Sequence, residues 1–228
     1  MIDVQKLKKK ITNELLEKFK SDISKKSYIY PSEISDCSRA IWYKLKHFPI
    51  DPAYKLYYPE LRLLGDLGNC FHDHFQTEAS EFVVSEQNFM LEDLLVKGRI
   101  DAMSSGQETL YEIKTADTKT YLALKLPIHK HLLQILVYTI AFPKVKDICL
   151  IYVNRNFKKY DLDVKQFEYK NIQADVKLLE LVSFIRTKIN YIREYYLTNK
   201  APTEFLVKDS CFFCPFKHIC DQKEIKKR

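Results

Sequence analysis

The chain has 228 residues, 46% of them hydrophobic, and a formal net charge of +7 at pH 7. This size supports one large domain or two small ones with a buried core, and the moderate positive charge permits nucleic-acid binding without requiring it. No N-terminal stretch has the apolar run of a signal peptide, and the apolar stretch 132–142 is too short to cross a membrane. We therefore expect a cytoplasmic protein that forms one compact unit.

The first third of the chain is predicted to be helical. Apolar residues recur at near-helical spacing over 2–20, which predicts an N-terminal amphipathic helix. Ser32 can cap a second helix that continues to Lys46. A third and longer helix is predicted over 61–81, and it carries two glycines and two histidines, Gly65, Gly68, His72 and His74.

The pattern changes from helix to strand at Phe82. Short runs with strand-like composition predict three strands, over 82–89, 95–103 and 109–115. The turn-forming sequence Ser-Ser-Gly at 104–106 lies between the last two of them. These two strands are therefore predicted to form a hairpin.

Helix and strand alternate in the second half of the chain. Helical spacing returns over 129–142, and two further strands are predicted over 148–153 and 159–164. A long helix over 171–197 has an apolar residue at every third or fourth position, which is typical of packing against a sheet. We expect one domain with a helical part, a sheet core, a long helix and a cysteine-rich tail, over 1–81, 82–170, 171–200 and 201–228.

Two carboxylates and a lysine are predicted to meet on neighbouring strands. Residues two apart on a strand point to the same side, so Glu112 and Lys114 share a face while Ile113 points into the core. The hairpin brings Asp101 alongside them. Two convergent carboxylates can hold a hard divalent cation, and an ammonium beside it can orient the attacking water and offset charge on a phosphorus centre. This combination suits phosphodiester hydrolysis.

The same three residues have a plainer explanation, because a Glu-x-Lys on a strand is commonly a solvated cross-strand pair. Neighbouring apolar residues favour the metal site, since they predict central strands in which an unpaired charge would be costly. These apolar residues are Val96, Ile100, Tyr111 and Ile113.

Two helical motifs accompany the carboxylates and the lysine. They are a Gly-x-x-x-His and a Gln-x-x-x-Tyr, which run from Gly68 to His72 and from Gln134 to Tyr138. In this order, the motifs resemble the RecB-type branch of the PD-(D/E)XK nuclease superfamily, although Ile100 replaces the proline of that name. The resemblance implies an α/β fold with a restriction-endonuclease-like core, in which helices flank a central mixed sheet, and a Mg²⁺ or Mn²⁺ cofactor.

The resemblance also implies a role for each motif residue. Four groups would ligate the metal, the side chains of His72, Asp101 and Glu112 and the backbone carbonyl of Ile113. Lys114 would be the catalytic lysine, and the Gln-x-x-x-Tyr pair would line the site or contact DNA. His74 competes for the helical ligand position, and His72 is preferred because Gly68, one turn earlier, would admit a close approach of backbone or DNA.

Four cysteines form a candidate metal cluster. Cys211, Cys214 and Cys220 follow a C-x2-C-x5-C pattern, and Cys37 lies far upstream. Four thiolates hold either zinc or a 4Fe-4S cluster, and spacing alone does not separate the two. The split of one ligand before the core and three after it is similar to iron-sulfur nucleases, including the CRISPR-associated exonuclease family and AddB-type nuclease domains. Ser38 stands where that family has proline.

We expect the cluster to tie a C-terminal tail with few apolar residues back to the N-terminal region. The other two cysteines, Cys70 and Cys149, are predicted to be buried small apolar residues. Three residues just after the first cysteine have two open explanations. Arg39, Trp42 and Tyr43 could meet phosphates and stack on bases, or could be the core and surface of an ordinary helix.

The combined pattern predicts a metal-dependent deoxyribonuclease, an exonuclease on single-stranded DNA ends or overhangs by similarity to the iron-sulfur nucleases. Such a phosphodiester hydrolase could trim DNA in CRISPR adaptation, or process DNA ends in replication and recombination of a phage or its host, with proteins of those pathways as partners. The alternatives are a non-catalytic DNA-binding or scaffolding protein with a structural metal cluster, an RNA-directed nuclease, and a zinc-stabilised nuclease.

Overall fold

The computed structural model describes residues 13–14, 27–51, 68, 70, 77, 83–156, 163–203, 211 and 214–220. The chain divides into two compact units. The first, called the cysteine unit below, comprises Met1–Ser27, Asp36–Gly65 and Tyr191–Arg228. The second, called the sheet unit, comprises Tyr28–Ser35 and Asp66–Asn190. Among the described helices, none is both long enough and apolar enough to span a bilayer.

Two of the predicted helices lie largely outside the described residues. Of the helix predicted over 2–20, only Asn13 and Glu14 are described, and both are helical. Of the helix predicted over 61–81, Gly68, Cys70 and Thr77 are described and helical.

A five-stranded mixed sheet organises the sheet unit, in the order β1-β4-β5-β6-β7. Its strands are β1 Val83–Ser85, β4 Ala102–Ser104, β5 Thr109–Ala116, β6 Asp147–Asn154 and β7 Val164–Tyr169. Neighbours β5 and β6 are parallel, and the other pairs are antiparallel. The α/β fold with a mixed central sheet is therefore confirmed. β5 lies in the middle, with two strands on each side.

A separate two-stranded sheet consists of β2 Asn88–Leu91 and β3 Val96–Arg99, paired antiparallel. The prediction of a continuous strand over 95–103 is wrong, because the chain leaves β3 at Ile100 and enters β4 at Ala102. The strand predicted over 82–89 is likewise two strands, interrupted at Glu86, whose φ is 53°. Val96 therefore belongs to a strand of the small sheet and not to a central strand.

The hairpin between β4 and β5 forms as predicted. Ala102 pairs with Tyr111 across it. At the turn, the Ser104 hydroxyl oxygen accepts hydrogen bonds from the backbone N–H groups of Glu108 at 3.3 Å and Thr109 at 3.1 Å. The serine thus satisfies two backbone donors at the start of β5 and helps fix its register against β4.

Four α-helices are described with both of their bounds, α1 Ser38–Leu45, α2 Thr118–Ala123, α3 His129–Ala141 and α4 Val176–Leu197. The short helix α2 was not predicted. Asp117 caps it, because its carboxylate accepts hydrogen bonds from the Thr120 N–H and hydroxyl, both at 2.9 Å. At the other end, the Lys165 ammonium donates to the carbonyls of Tyr121 at 2.8 Å and Leu124 at 3.2 Å.

The start of the helix predicted from Ser32 to Lys46 is wrong. Residues Pro31–Glu33 form a single 3₁₀ turn, in which Glu33 accepts a hydrogen bond from the Tyr30 N–H at 3.2 Å. The extended backbone at Cys37 (ψ 131°) then separates this turn from α1. The predicted helix is therefore divided between the two units.

The boundaries of two later elements also differ from the prediction. β7 begins at Val164, where the strand predicted over 159–164 was expected to end. Helix α4 begins at Val176 and not at residue 171, because the Asp175 carboxylate caps it by accepting from the N–H of Lys177 at 2.9 Å and of Leu178 at 3.1 Å. Val176 remains 67% exposed, so the first turn of the helix contributes little to the core.

Gly98 allows β3 to approach its neighbours closely. A Cβ atom added there would lie 2.8 Å from both Phe89 Cε1 and Pro31 Cγ. We predict that Gly98→Ala lowers the free energy of unfolding by about 1–3 kcal/mol, the usual range for overpacking a core. Gly106→Ala is the matched control, because nothing lies within 4 Å of the added methyl. Equal midpoints for the two variants in urea denaturation would contradict this prediction.

Candidate active site

Asp101 lies at the break between β3 and β4, next to the middle of β5. Its Oδ2 accepts a hydrogen bond from the backbone N–H of Ile113 at 2.8 Å. Ile113 is the residue between Glu112 and Lys114. The carboxylate of Asp101 is thus held beside the two other charged residues that the sequence singled out.

Glu112 and Lys114 project from the same side of β5 and form an ion pair. The Glu112 side chain is 0% exposed and that of Lys114 is 23% exposed. Burial would lower the pKa of Lys114, but the charges of Glu112 and Asp101 outweigh it, and the pKa is raised. The amine is therefore a cation at neutral pH.

A buried ion pair is a poor source of stability. Removing two charges from water costs several kcal/mol, and apolar residues of similar volume are often as stabilising. The pair also lies within one cluster with a third charged group, Asp101. A cluster of charged groups around a buried ion pair, with a raised pKa at Lys114, is typical of functional sites.

Helix α3 contributes two buried side chains to this cluster. Gln134 and Tyr138 are both buried, and the Gln134 amide donates a hydrogen bond to the Tyr138 hydroxyl at 2.9 Å. Burial raises the pKa of Tyr138, and the charges of Glu112 and Asp101 and a hydrogen bond with Glu112 raise it further. The hydroxyl thus stays protonated and lies within electrostatic range of both carboxylates.

Sequence reasoning missed two residues that lie at the same site. Tyr152 of β6 pairs in register with Lys114 of β5, and its hydroxyl lies 2.9 Å from the Nδ1 atom of His131 on α3. Burial lowers the pKa of His131 to about 3, and the charges of Lys114 and Lys130 contribute. The available signal was that His131 precedes Gln134 by three residues, which puts both on one helix face.

The predicted helical ligand His72, like its competitor His74, lies outside the described residues. The glycine of the same motif is described. A Cβ atom added to Gly68 would meet the Thr115 hydroxyl oxygen at 3.9 Å, and Thr115 directly follows Lys114. The helical residue Gly68 therefore lies close to the site strand.

The donor set of the described residues suits a hard cation. Asp101 and Glu112 supply carboxylate oxygens, and the Ile113 carbonyl belongs to the same strand; oxygen ligands of this kind are those that Mg²⁺ prefers. Within the part of the chain that is described, no group of three or more His, Cys, Asp or Glu side chains is arranged to hold a metal ion. Among the described residues, the two carboxylates and the Ile113 carbonyl are the groups of this site that could serve a cation.

The four cysteines of the predicted cluster all belong to the cysteine unit. Burial raises the pKa of Cys214, and the thiols of Cys37, Cys220 and Cys211 raise it further by charge repulsion. Each of these three thiols therefore lies within electrostatic range of Cys214.

The other two cysteines differ from each other. Cys149 is buried in β6 as predicted, and burial raises the pKa of its thiol to about 11. The prediction that Cys70 is buried is wrong, because this residue is exposed on a helical segment. The Cys70 side chain therefore does not belong to the hydrophobic core.

Arg39, Trp42 and Tyr43, the three residues that could contact DNA, are buried within the cysteine unit. The Arg39 guanidinium donates from Nε to the Pro202 carbonyl at 2.7 Å and from Nη1 to the Cys220 sulfur at 3.8 Å. Trp42 donates to the Tyr195 carbonyl at 3.1 Å, and Tyr43 packs with it in one core cluster. The burial of these side chains supports the core explanation and not contact with bases.

Comparisons with known proteins identify the family. The family described as the PD-(D/E)XK nuclease superfamily matches residues 14–221. None of the curated proteins compared with the chain matches it. The crystal structure of SSO0001 is similar with a TM-score of 0.55 and 18% identity, over 95% of this chain and 97% of that one.

A second similar structure is that of LHK-Exo in complex with dAMP, with a TM-score of 0.51 and 12% identity, over 78% of this chain and 91% of that one. LHK-Exo is an alkaline exonuclease from Laribacter hongkongensis. At these identities the two structures show similarity of fold alone. The family match covers most of the chain, and the two carboxylates and the lysine of the site lie within it. The chain therefore belongs to the PD-(D/E)XK nuclease superfamily.

Proposed function

We propose that this protein is a Mg²⁺- or Mn²⁺-dependent deoxyribonuclease that shortens single-stranded DNA ends or overhangs. Membership of the superfamily implies phosphodiester hydrolysis. The observation that carries the proposal is the cluster at the middle of β5, where the carboxylates of Asp101 and Glu112 and the ammonium of Lys114 lie together.

The residues of the cluster have separate roles in this proposal. Asp101, Glu112 and the Ile113 carbonyl would hold the cation, together with His72 as the resemblance to the family implies. When bound, such a cation polarises a phosphoryl oxygen and lowers the pKa of a bound water. Lys114 stays protonated because of the two carboxylates, so it offsets the negative charge that develops on the phosphate and orients the water that attacks it.

Gln134 and Tyr138 fix the position of Glu112 in this proposal. The Tyr138 hydroxyl lies near enough to the Glu112 carboxylate for that carboxylate to raise the pKa of Tyr138, and it is itself held by the Gln134 amide. A buried carboxylate held in this way keeps its oxygens in one geometry, and the cation site needs that rigidity. In this proposal Gln134 and Tyr138 position the metal ligand Glu112. Both side chains are buried, so they would contact DNA only if they became exposed.

Three features support DNA ends as the substrate. The net charge of +7 favours a polyanion. LHK-Exo, which shares the fold, is an exonuclease and was crystallised with the nucleotide dAMP. The resemblance to iron-sulfur nucleases favours single-stranded ends. A role in CRISPR adaptation, or in replication and recombination of a phage or its host, is proposed on the same resemblance.

We further propose that Cys37, Cys211, Cys214 and Cys220 bind a 4Fe-4S cluster, with zinc as the alternative. The mutual effect of these thiols on the pKa of Cys214 supports the proposal, because thiols that repel one another as thiolates are stabilised when a cation binds them. The guanidinium of Arg39 at the Cys220 sulfur adds a positive charge to what would be an anionic centre.

An end-labelled digestion tests the nuclease proposal. Single-stranded DNA, duplex DNA with an overhang, and RNA of the same sequence are incubated with Mg²⁺, with Mn²⁺ or with EDTA. We expect stepwise shortening of the single-stranded DNA and of the overhang, only with a divalent cation. DNA binding without cleavage under every condition would instead support the non-catalytic alternative, and preferential loss of the RNA would support an RNA-directed nuclease.

A further inference from the structure

Three side chains of α3 form a row along the site strand. His131, Gln134 and Tyr138 are separated by three and four residues, so they lie on one face of the helix. Tyr138 lies within electrostatic range of Glu112 of β5, and His131 lies within electrostatic range of Lys114, two residues further along that strand. The three side chains therefore run along β5, with His131 nearest to Lys114.

The strand next to β5 holds the imidazole in place. Tyr152 is fully buried, and its hydroxyl oxygen accepts a hydrogen bond from the Ile128 N–H at 3.0 Å. A buried phenol also needs an acceptor for its own proton. The Nδ1 atom of His131, at 2.9 Å, is in position to accept it. This arrangement gives a neutral imidazole that carries its proton on Nε2.

We propose that His131 is a substrate-binding residue of the nuclease site, whose Nε2–H donates a hydrogen bond to a phosphate oxygen of the DNA strand lying over Lys114. This inference rests on the proposed function. His131 is only partly buried, whereas Tyr152 behind it is fully buried. Its Nδ1 atom is already engaged by Tyr152, so Nε2 is the ring nitrogen left for a ligand.

The proposed contact suits a site that already has one positively charged side chain, Lys114. The ammonium of Lys114 lies within electrostatic range of the imidazole, so it would repel a second positive charge there. The low pKa of His131, caused first by burial and then by Lys114, keeps the ring uncharged. A neutral donor can hold a phosphate oxygen without weakening the lysine.

The test compares His131→Ala, His131→Gln and Tyr152→Phe with His129→Gln as the matched control. His129 lies two residues earlier on the same helix and is exposed. Equilibrium binding of labelled single-stranded DNA is measured with Ca²⁺, a cation chosen to keep hydrolysis slow, and single-turnover cleavage is measured with Mn²⁺. Thermal unfolding of each variant reports its stability.

We expect His131→Ala to weaken DNA binding about 10-fold, the size expected for a lost hydrogen bond to a charged group. His131→Gln should regain part of it, because its amide can still donate. Tyr152→Phe should weaken binding in the wild-type background and have little further effect in His131→Ala, since both act through one contact. His129→Gln should bind as the wild type does.

Wild-type affinity and cleavage in His131→Ala would overturn the inference, as would a lower melting temperature with unchanged affinity, which indicates a structural role only. Failure of the proposed function is distinguishable from both outcomes. In that case the wild-type protein itself would cleave no DNA.

Discussion

Asp101→Asn is expected to lower the rate of DNA cleavage by orders of magnitude while leaving the fold intact. The Asp101 carboxylate accepts a hydrogen bond from the Ile113 N–H at 2.8 Å, and the amide oxygen of asparagine can accept the same bond. The substitution therefore removes a negative charge from the cation site and keeps this hydrogen bond. We expect single-turnover cleavage with Mg²⁺ to fall by about 10²–10⁴-fold, the effect of losing several kcal/mol of charge stabilisation.

Two further variants separate charge from structure. Asp101→Ala loses both the charge and the hydrogen bond, so it should be inactive and also less stable by about 1–3 kcal/mol, the cost of leaving the Ile113 N–H without its acceptor. Asp93→Asn is the control, because Asp93 is exposed in the short turn before β3. Cleavage by Asp101→Asn at the rate of Asp93→Asn would remove Asp101 from the site.

The parts of the fold that the sequence predicts best are those with strong local signals. The hairpin into β5 has turn residues between two apolar runs, and Ser104 indeed caps the strand start. Helix α3 has an almost unbroken apolar sequence at helical length, and its described bounds differ from the prediction by one residue at the C-terminal end. In both cases the signal lies within one element, so it can be detected without tertiary contacts.

The errors arise where one local signal competes with another. Ser32 looks like a helix cap, but Pro31 and Glu33 close a 3₁₀ turn there, and the chain passes into a different unit before α1 begins. The run over 95–103 looks like one strand, because nothing in its apolar pattern marks the change of sheet at Ile100. Which sheet a strand joins depends on partners that are distant in sequence.

The site was predicted in part for the same reason. The Glu-x-Lys pair needs only the two-residue repeat of a strand, and the structure has it as an ion pair on β5. The pair of His131 and Tyr152 needs α3 to pack against β6, and the two residues are 21 apart in sequence. Neither residue is unusual in its own segment, so only the spacing from Gln134 marks His131.

Cys37→Ser is expected to remove the metal cluster and to destabilise the cysteine unit. Trp42, Tyr43 and Phe216 form a buried cluster in this unit, against which the tail residues Cys214, Ile219 and Cys220 pack. Bonds from one centre to Cys37 and to the tail cysteines would close a loop of well over a hundred residues and offset the entropy of ordering the tail. We expect anaerobically purified wild-type protein to contain iron with the visible absorption of a cluster, and the variant to lose both.

The melting temperature of Cys37→Ser should fall by several degrees, because each 1 kcal/mol lost corresponds to about 2–4 °C for a chain of this size. Cys70→Ser is the matched control, since Cys70 is an exposed thiol outside the cysteine unit, and it should keep both iron and stability. A colourless wild-type protein with stoichiometric zinc would replace the iron-sulfur proposal with the zinc alternative. Full iron content in Cys37→Ser would mean that a residue other than Cys37 is the fourth ligand. The link between α1 and the tail would then rest on the contacts of Arg39 with Pro202 and Cys220.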